Sequence, residues 1–143
     1  MGRMVFKADM TYTGDGMRCE GGSRGFDVAV DEPSELGGTN TAMNPVELLL
    51  SSLAGCMCIC AAAFAEKCGV ELHAVSVETE GDLDPAGFLG MDPSARKGFQ
   101  QVRFKISIDS DSDEERVEEL KSLIKERCPV SDTLAGVDVV EIL

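Results

Sequence analysis

The chain has 143 residues, a formal net charge of −13 and 43% hydrophobic residues. That length suits a single domain with a real core, residues 1–143. Acid in such excess excludes nucleic acid and anionic membrane surfaces as partners, because both are bound by basic patches.

Residues 3–12 alternate loosely and predict a first strand, and Gly14-Asp15-Gly16 is a turn signal. Residues 17–20 predict a short second strand and 21–25 a second turn. In a third strand, Phe26, Val28 and Val30 share one face. A loop from Asp31 to Met43, rich in Gly, Thr and Asn, leads into the clearest stretch, Asn44 to Gly69. Asn44 is a helix N-cap, Pro45 suits the first helical position, and Glu47 completes a capping box. Lys67 complements the helix dipole and Gly69 suits the left-handed residue after the end.

This helix, Pro45 to Cys68, would be about 36 Å long. Residues 48–65 carry no charge, so it is apolar all round and is expected to be buried on nearly every side. Its length matches a membrane span. Ser51, Ser52, Gly55 and the cysteines interrupt it, however, and no aromatic belt flanks it. A central helix of a soluble protein is the expectation. A chain of this size struggles to surround such a helix alone, so a homodimer is expected.

Beyond it, residues 72–80 predict a fourth strand and 82–98 an exposed excursion. Val102, Phe104, Ile106 and Ile108 line one face of a fifth strand over 101–109. Ser112 with Glu115 predicts a second capping box, opening a helix whose Val117, Leu120, Leu123, Ile124 and Cys128 recur at helical spacing. Pro129 ends it, and residues 137–142 close as a strand. The order βββ-α-ββ-α-β makes an α+β domain of antiparallel sheets around the long helix.

Six cysteines stand at 19, 56, 58, 60, 68 and 128. They are too few and too uneven for a secreted disulfide scaffold. Without a CxxC pair, and with His73 the only histidine, no metal site is expected. The first ten residues show no apolar signal region, so a cytoplasmic location is expected. On a helix, Cys56 and Cys60 share a face and Cys58 does not.

Two stretches carry a resemblance. Asn44-Pro45-Val46-Glu47-Leu48-Leu49 with Ala54-Gly55-Cys56, and Arg127-Cys128-Pro129-Val130-Ser131-Asp132-Thr133-Leu134 some seventy residues later, resemble the OsmC/Ohr family. These are the osmotically inducible protein C and organic hydroperoxide resistance proteins. The resemblance implies an intertwined homodimer with both central helices buried together and two sites at the subunit interface. It implies a thiol peroxidase that reduces organic hydroperoxides and, more weakly, hydrogen peroxide. By position Cys56 matches the peroxidatic cysteine, Cys128 the resolving one and Arg18 the arginine that supports the thiolate. No metal, flavin or haem is implied; the reductant is an external dithiol, of lipoyl type by the family's habit.

One position departs from that pattern. Where the hydroperoxide-resistance branch has a glutamate directly after Asn-Pro, this chain has Val46, and Glu47 follows one residue later. One step turns a side chain by about 100° around a helix, so Glu47 either only caps or still reaches the arginine. The departure points to a broader OsmC-like subgroup.

Plainer readings remain beside these. Cys56 and Cys128 can be small buried hydrophobes, and Arg18 a surface strand residue. On the same fold, a non-catalytic dimeric binder of an apolar small molecule and a thiol redox sensor stay open. Cys19, Cys58, Cys60 and Cys68 read as packing residues and His73 as a surface residue. Cys60, one turn from Cys56, rarely reaches disulfide geometry with it.

Overall fold

The computed structural model describes residues 1–143, the side chain of Val139 excepted. The chain forms two compact units, Met1–Leu49 and Leu50–Leu143.

The first unit is an antiparallel meander of β1 (Asp9–Tyr12), β2 (Cys19–Ser23) and β3 (Phe26–Val30). Tyr12 pairs with Cys19, and Ser23 with Phe26. The expected turn over 21–25 is shorter: Gly21 and Gly22 belong to β2, and only Arg24 and Gly25 turn, both at positive φ (54° and 85°). Two left-handed residues give a turn whose twist matches that of the flanking strands. The glycines serve the sheet differently, since a Cβ on Gly21 would run into the Asp9 carbonyl and one on Gly22 into that of Phe26. The first strand is also shorter than expected, beginning at Asp9.

Helix α1 (Pro45–Phe64) runs from the end of the first unit into the second. Its start is the predicted capping box: the Glu47 N–H donates to Asn44 Oδ1 at 2.9 Å, and the Asn44 N–H donates to Glu47 Oε1 at 3.0 Å. It stops four residues before Cys68, then closes through a turn in which the Val70 N–H donates to the Ala65 carbonyl (2.8 Å) and Gly69 sits at φ +67°. That is the left-handed ending expected of Gly69.

In the second unit β4 (Ala74–Leu83) and β5 (Phe99–Asp109) form a long antiparallel pair, with a short α2 (Pro85–Phe88) in the excursion between them. Helix α3 (Glu114–Arg127) follows, then α4 (Pro129–Thr133) and β6 (Asp138–Glu141). The last strand joins β5 in parallel, so this sheet is mixed rather than wholly antiparallel. Ser112 does not cap α3. Its hydroxyl instead accepts the Glu71 N–H at 2.9 Å, and Asp113 takes the cap position.

The core of this unit is the alternating face of β5 (Val102, Phe104, Ile106) with Leu53, Met57 and Ala61 of α1 and Leu120 and Ile124 of α3. Each large side chain fully buried there contributes about 1.5–3 kcal/mol. The expectation of a helix buried all round is met on one face only. Leu53, Met57, Cys60 and Ala61 are buried, whereas Ile59 is 71% exposed. By length and hydropathy the helix could also cross a membrane.

Candidate active site

The second unit gathers thiols. Cys56 and Cys60 lie one turn apart on α1, and Cys128 lies between α3 and α4. All six cysteines are unbonded. Pro129 makes the break between the helices: it has no N–H to continue α3, and it fits the first position of α4. Cys128 is thereby the C-cap of α3 and the N-cap of α4. Its Sγ accepts the Ser131 N–H at 3.4 Å.

Each thiol of the three contacts the other two: Cys56 with Cys60, Cys60 with Cys128, and Cys56 with Cys128. Their exposure differs. Cys128 and Cys60 are buried, at 1% and 6%, while Cys56 is half-buried. Burial pushes the Cys128 thiol up to about 11, opposed by the Ser131 N–H and assisted by its contact with Cys56. Burial raises Cys60 as well, with the neighbouring Cys56 adding to it. Removing a thiolate from water costs more than removing a thiol, and a second thiolate beside it repels.

The structure thus brings Cys56 and Cys128 together, and with them Cys60, which the sequence reads as a packing residue. The helical spacing already sets Cys60 on the Cys56 face; that Cys128 packs against both is decided by the fold. Cys68 is buried without joining the cluster, and its thiol too is raised by burial. Cys58 is half-buried and lies off the shared face, and Cys19 is in β2 of the first unit.

The first unit holds the predicted arginine. Arg18 directly precedes β2, and its Nε donates to Glu20 Oε1 at 2.8 Å. Its Nη1 donates to the Thr41 carbonyl (3.2 Å) and to Thr41 Oγ1 (2.9 Å). Thr41 is fixed in turn by Asp31, a carboxylate only 1% exposed. Asp31 Oδ2 accepts Thr41 Oγ1–H (2.7 Å), the Thr41 N–H (3.1 Å) and Thr39 Oγ1–H (2.5 Å). Oδ1 accepts the N–H groups of Glu32 (2.8 Å) and Thr39 (3.3 Å). The Thr39 hydroxyl above all holds this carboxylate far below its usual range, against the cost of burying it. The loop from Asp31 to Met43 is thus folded around one buried charge, and Thr41 presents two oxygens to Arg18. Glu47 lies at the start of α1 in the capping box.

A groove of about 660 Å³ opens on the meander, with Arg18, Glu20, Arg24 and Phe26 among its lining; no cysteine lines it. Among the described residues no cluster of His, Cys, Asp and Glu is arranged to hold a metal ion.

Solved structures with the same fold cover almost the whole chain. An OsmC-like protein from Mycoplasma pneumoniae is 20% identical, with a TM-score of 0.81 over 98% of this chain and 97% of its own. An organic hydroperoxide resistance protein OsmC from Legionella pneumophila is 22% identical, at 0.70 over 100% of both chains. An organic hydroperoxide resistance protein from Elizabethkingia anophelis, with thiocyanate bound, is 17% identical, at 0.73 over 98% and 96%. No curated protein matches the sequence. The family model of OsmC, OsmC-like protein, matches residues 38–142, which takes in α1 and both cysteine stretches. The chain belongs to the OsmC-like protein family.

Proposed function

We propose that this protein is a thiol peroxidase that reduces organic hydroperoxides, and hydrogen peroxide more weakly. The observation that carries the reading is the contact between a half-buried Cys56 and a buried Cys128 held on a different helix junction. Family membership, with neighbours named as hydroperoxide resistance proteins, supports a peroxide-related redox role.

In the proposed cycle the Cys56 thiolate attacks the terminal oxygen of the hydroperoxide. An S–O bond forms, the O–O bond breaks, and the alkoxide leaves as an alcohol after taking a proton. Cys56 is then a sulfenic acid. Cys128 attacks its sulfur, the S–S bond forms, and the sulfenic oxygen departs as water. An external dithiol, of the lipoyl type, returns both thiols. Arg18 is assigned the cation that holds Cys56 as thiolate, and its support is the family resemblance. Glu47 is assigned first to the helix cap. A cytoplasmic location goes with this reading, because a cycle that ends in free thiols needs a reducing pool.

A homodimer belongs to the same proposal. Its support is the uncovered side of α1, where Ile59 is 71% exposed on a helix without charge between residues 48 and 65.

The test is one equivalent of cumene hydroperoxide on the reduced protein, followed by intact mass and peptide mapping. A loss of two hydrogen atoms, mapped to Cys56 and Cys128 and absent in Cys56→Ser, is expected. A protein that stays reduced, or oxidises slowly at scattered cysteines, sinks the enzyme and leaves the fold.

A further inference from the structure

The peroxidase cycle uses two thiols, yet the structure packs three together. Cys60 is 6% exposed, on the same face of α1 as Cys56, and it touches both Cys56 and Cys128. It is not a partner for Cys56. Residues four apart on a helix hold their Cβ atoms about 5–6 Å apart, beyond the roughly 3.5–4.5 Å of a disulfide. Cys128 comes from another element, so no shared helix fixes its distance from Cys60.

We propose that Cys60 is a third redox thiol of this site, taking the disulfide over from Cys56 to leave a buried Cys60–Cys128 bond and a free Cys56. The proposal rests on the peroxidase reading, which supplies the first disulfide. The Cys60 thiolate attacks the Cys128 sulfur of the Cys56–Cys128 bond. One S–S bond forms as the other breaks, Cys56 leaves as the thiolate, and it takes up the proton that Cys60 gave away. No oxidant or reductant enters this exchange.

Two features favour the exchanged form. In the Cys56–Cys128 disulfide the half-buried Cys56 sulfur is open to an external dithiol, whereas both sulfurs of Cys60–Cys128 are buried. Burial also keeps Cys60 and Cys128 protonated when reduced, so no thiolate stabilises their reduced pair against the disulfide. The exchanged protein is a shielded oxidised state whose Cys56 can meet a second hydroperoxide with no resolving thiol left. Cys56 sulfenic acid then persists, so the protein records a sustained supply of peroxide.

The sequence allows a direct test on the wild-type protein. Reduced protein receives one equivalent of cumene hydroperoxide, is quenched in acid over a time course, and its free thiols are blocked with a maleimide at low pH. Cyanogen bromide cleaves after Met57, between Cys56 and Cys60, and trypsin at Lys67 then isolates residues 58–67. The expected result is an early link from residues 44–57 to the Cys128 fragment. It is replaced over time by a link from residues 58–67, placed on Cys60 by fragmentation, with Cys56 blocked. Cys60→Ala and Cys60→Ser should each stop at the first link. A Cys56–Cys128 bond that persists while Cys60 takes the maleimide overturns this inference and leaves the peroxidase standing. Six blocked thiols and no disulfide overturn the peroxidase, and this inference with it.

Discussion

The Sγ of Cys128 accepts the backbone N–H of Ser131 at 3.4 Å, so the thiol assigned to resolution is also the N-cap of α4. Replacing it therefore has two separable effects. Cys128→Ser keeps a capping oxygen and should leave stability within about 1 kcal/mol, whereas Cys128→Ala loses the cap at a cost of about 1 kcal/mol besides emptying buried volume. Urea unfolding should rank the variants in that order. Both should lose the peroxide-induced disulfide equally, leaving sulfenic acid or its further oxidation products at Cys56, seen as added oxygen by mass.

Burial of Cys128 also makes an alkaline signature. Its folded value of about 11 lies above the roughly 8.5 of a free cysteine, so between the two the folded state binds more protons than the unfolded. This contribution to stability is complete below about pH 8.5 and lost as pH climbs towards 11. Unfolding midpoints measured across that window should fall more steeply for the wild type than for Cys128→Ser. Equal slopes would show that Cys128 is not desolvated.

Asp31 should make the opposite signature at low pH. Its folded value is depressed, mainly by the Thr39 hydroxyl, so its contribution is present above the ordinary aspartate range near pH 4 and is lost as pH falls below it. Asp31→Asn should flatten the acid limb of a stability–pH curve. It also removes an acceptor from Thr39 and Thr41, so the loop over residues 31–43 should become more open to limited proteolysis while the rest of the chain holds.

Glu47 separates capping from charge. Glu47→Gln keeps a side-chain acceptor for the Asn44 N–H and should unfold within about 0.5 kcal/mol of wild type, while Glu47→Ala should lose about 1 kcal/mol. If peroxide turnover by Glu47→Gln matches the wild type, the carboxylate charge has no part in the chemistry. A tenfold or larger fall at unchanged stability would give it one.

Leu53 tests the core. It is fully buried on the α1 face, and Leu53→Ala should cost about 2–5 kcal/mol in urea or thermal unfolding. Ile59→Ala on the opposite, exposed face should change monomer stability little. A loss of oligomer with Ile59→Asp, read by light scattering, would mark that face as the covered one.

Much was legible in the residues themselves. Asn44, Pro45, Glu47 and Gly69 fix where α1 begins and how it ends, because caps and left-handed positions are local chemistry. The inward face of β5 follows from period-two alternation of Val102, Phe104 and Ile106. Pro129 breaks the last long helix at the cysteine because it lacks an N–H. These need no knowledge of distant neighbours. Ser112 read as a cap because its spacing to Glu115 fits one. The structure spends its hydroxyl on Glu71, forty-one residues away, and no local rule can anticipate that competition.

Other features exist only once the chain is folded. Glu47, Cys56 and Cys60 were placed on their helix by sequence, but the contact of Cys56 and Cys60 with Cys128 depends on how α3 packs on α1. Asp31 is one acid among twenty-six until the loop wraps Thr39 and Thr41 around it. The sequence determined the main strands and helices, the start of α1 and the two cysteine stretches, since those rest on backbone sterics and hydrophobic period. Tertiary structure alone decided which thiols meet and which are shielded from water, because contact and desolvation depend on neighbours remote along the chain.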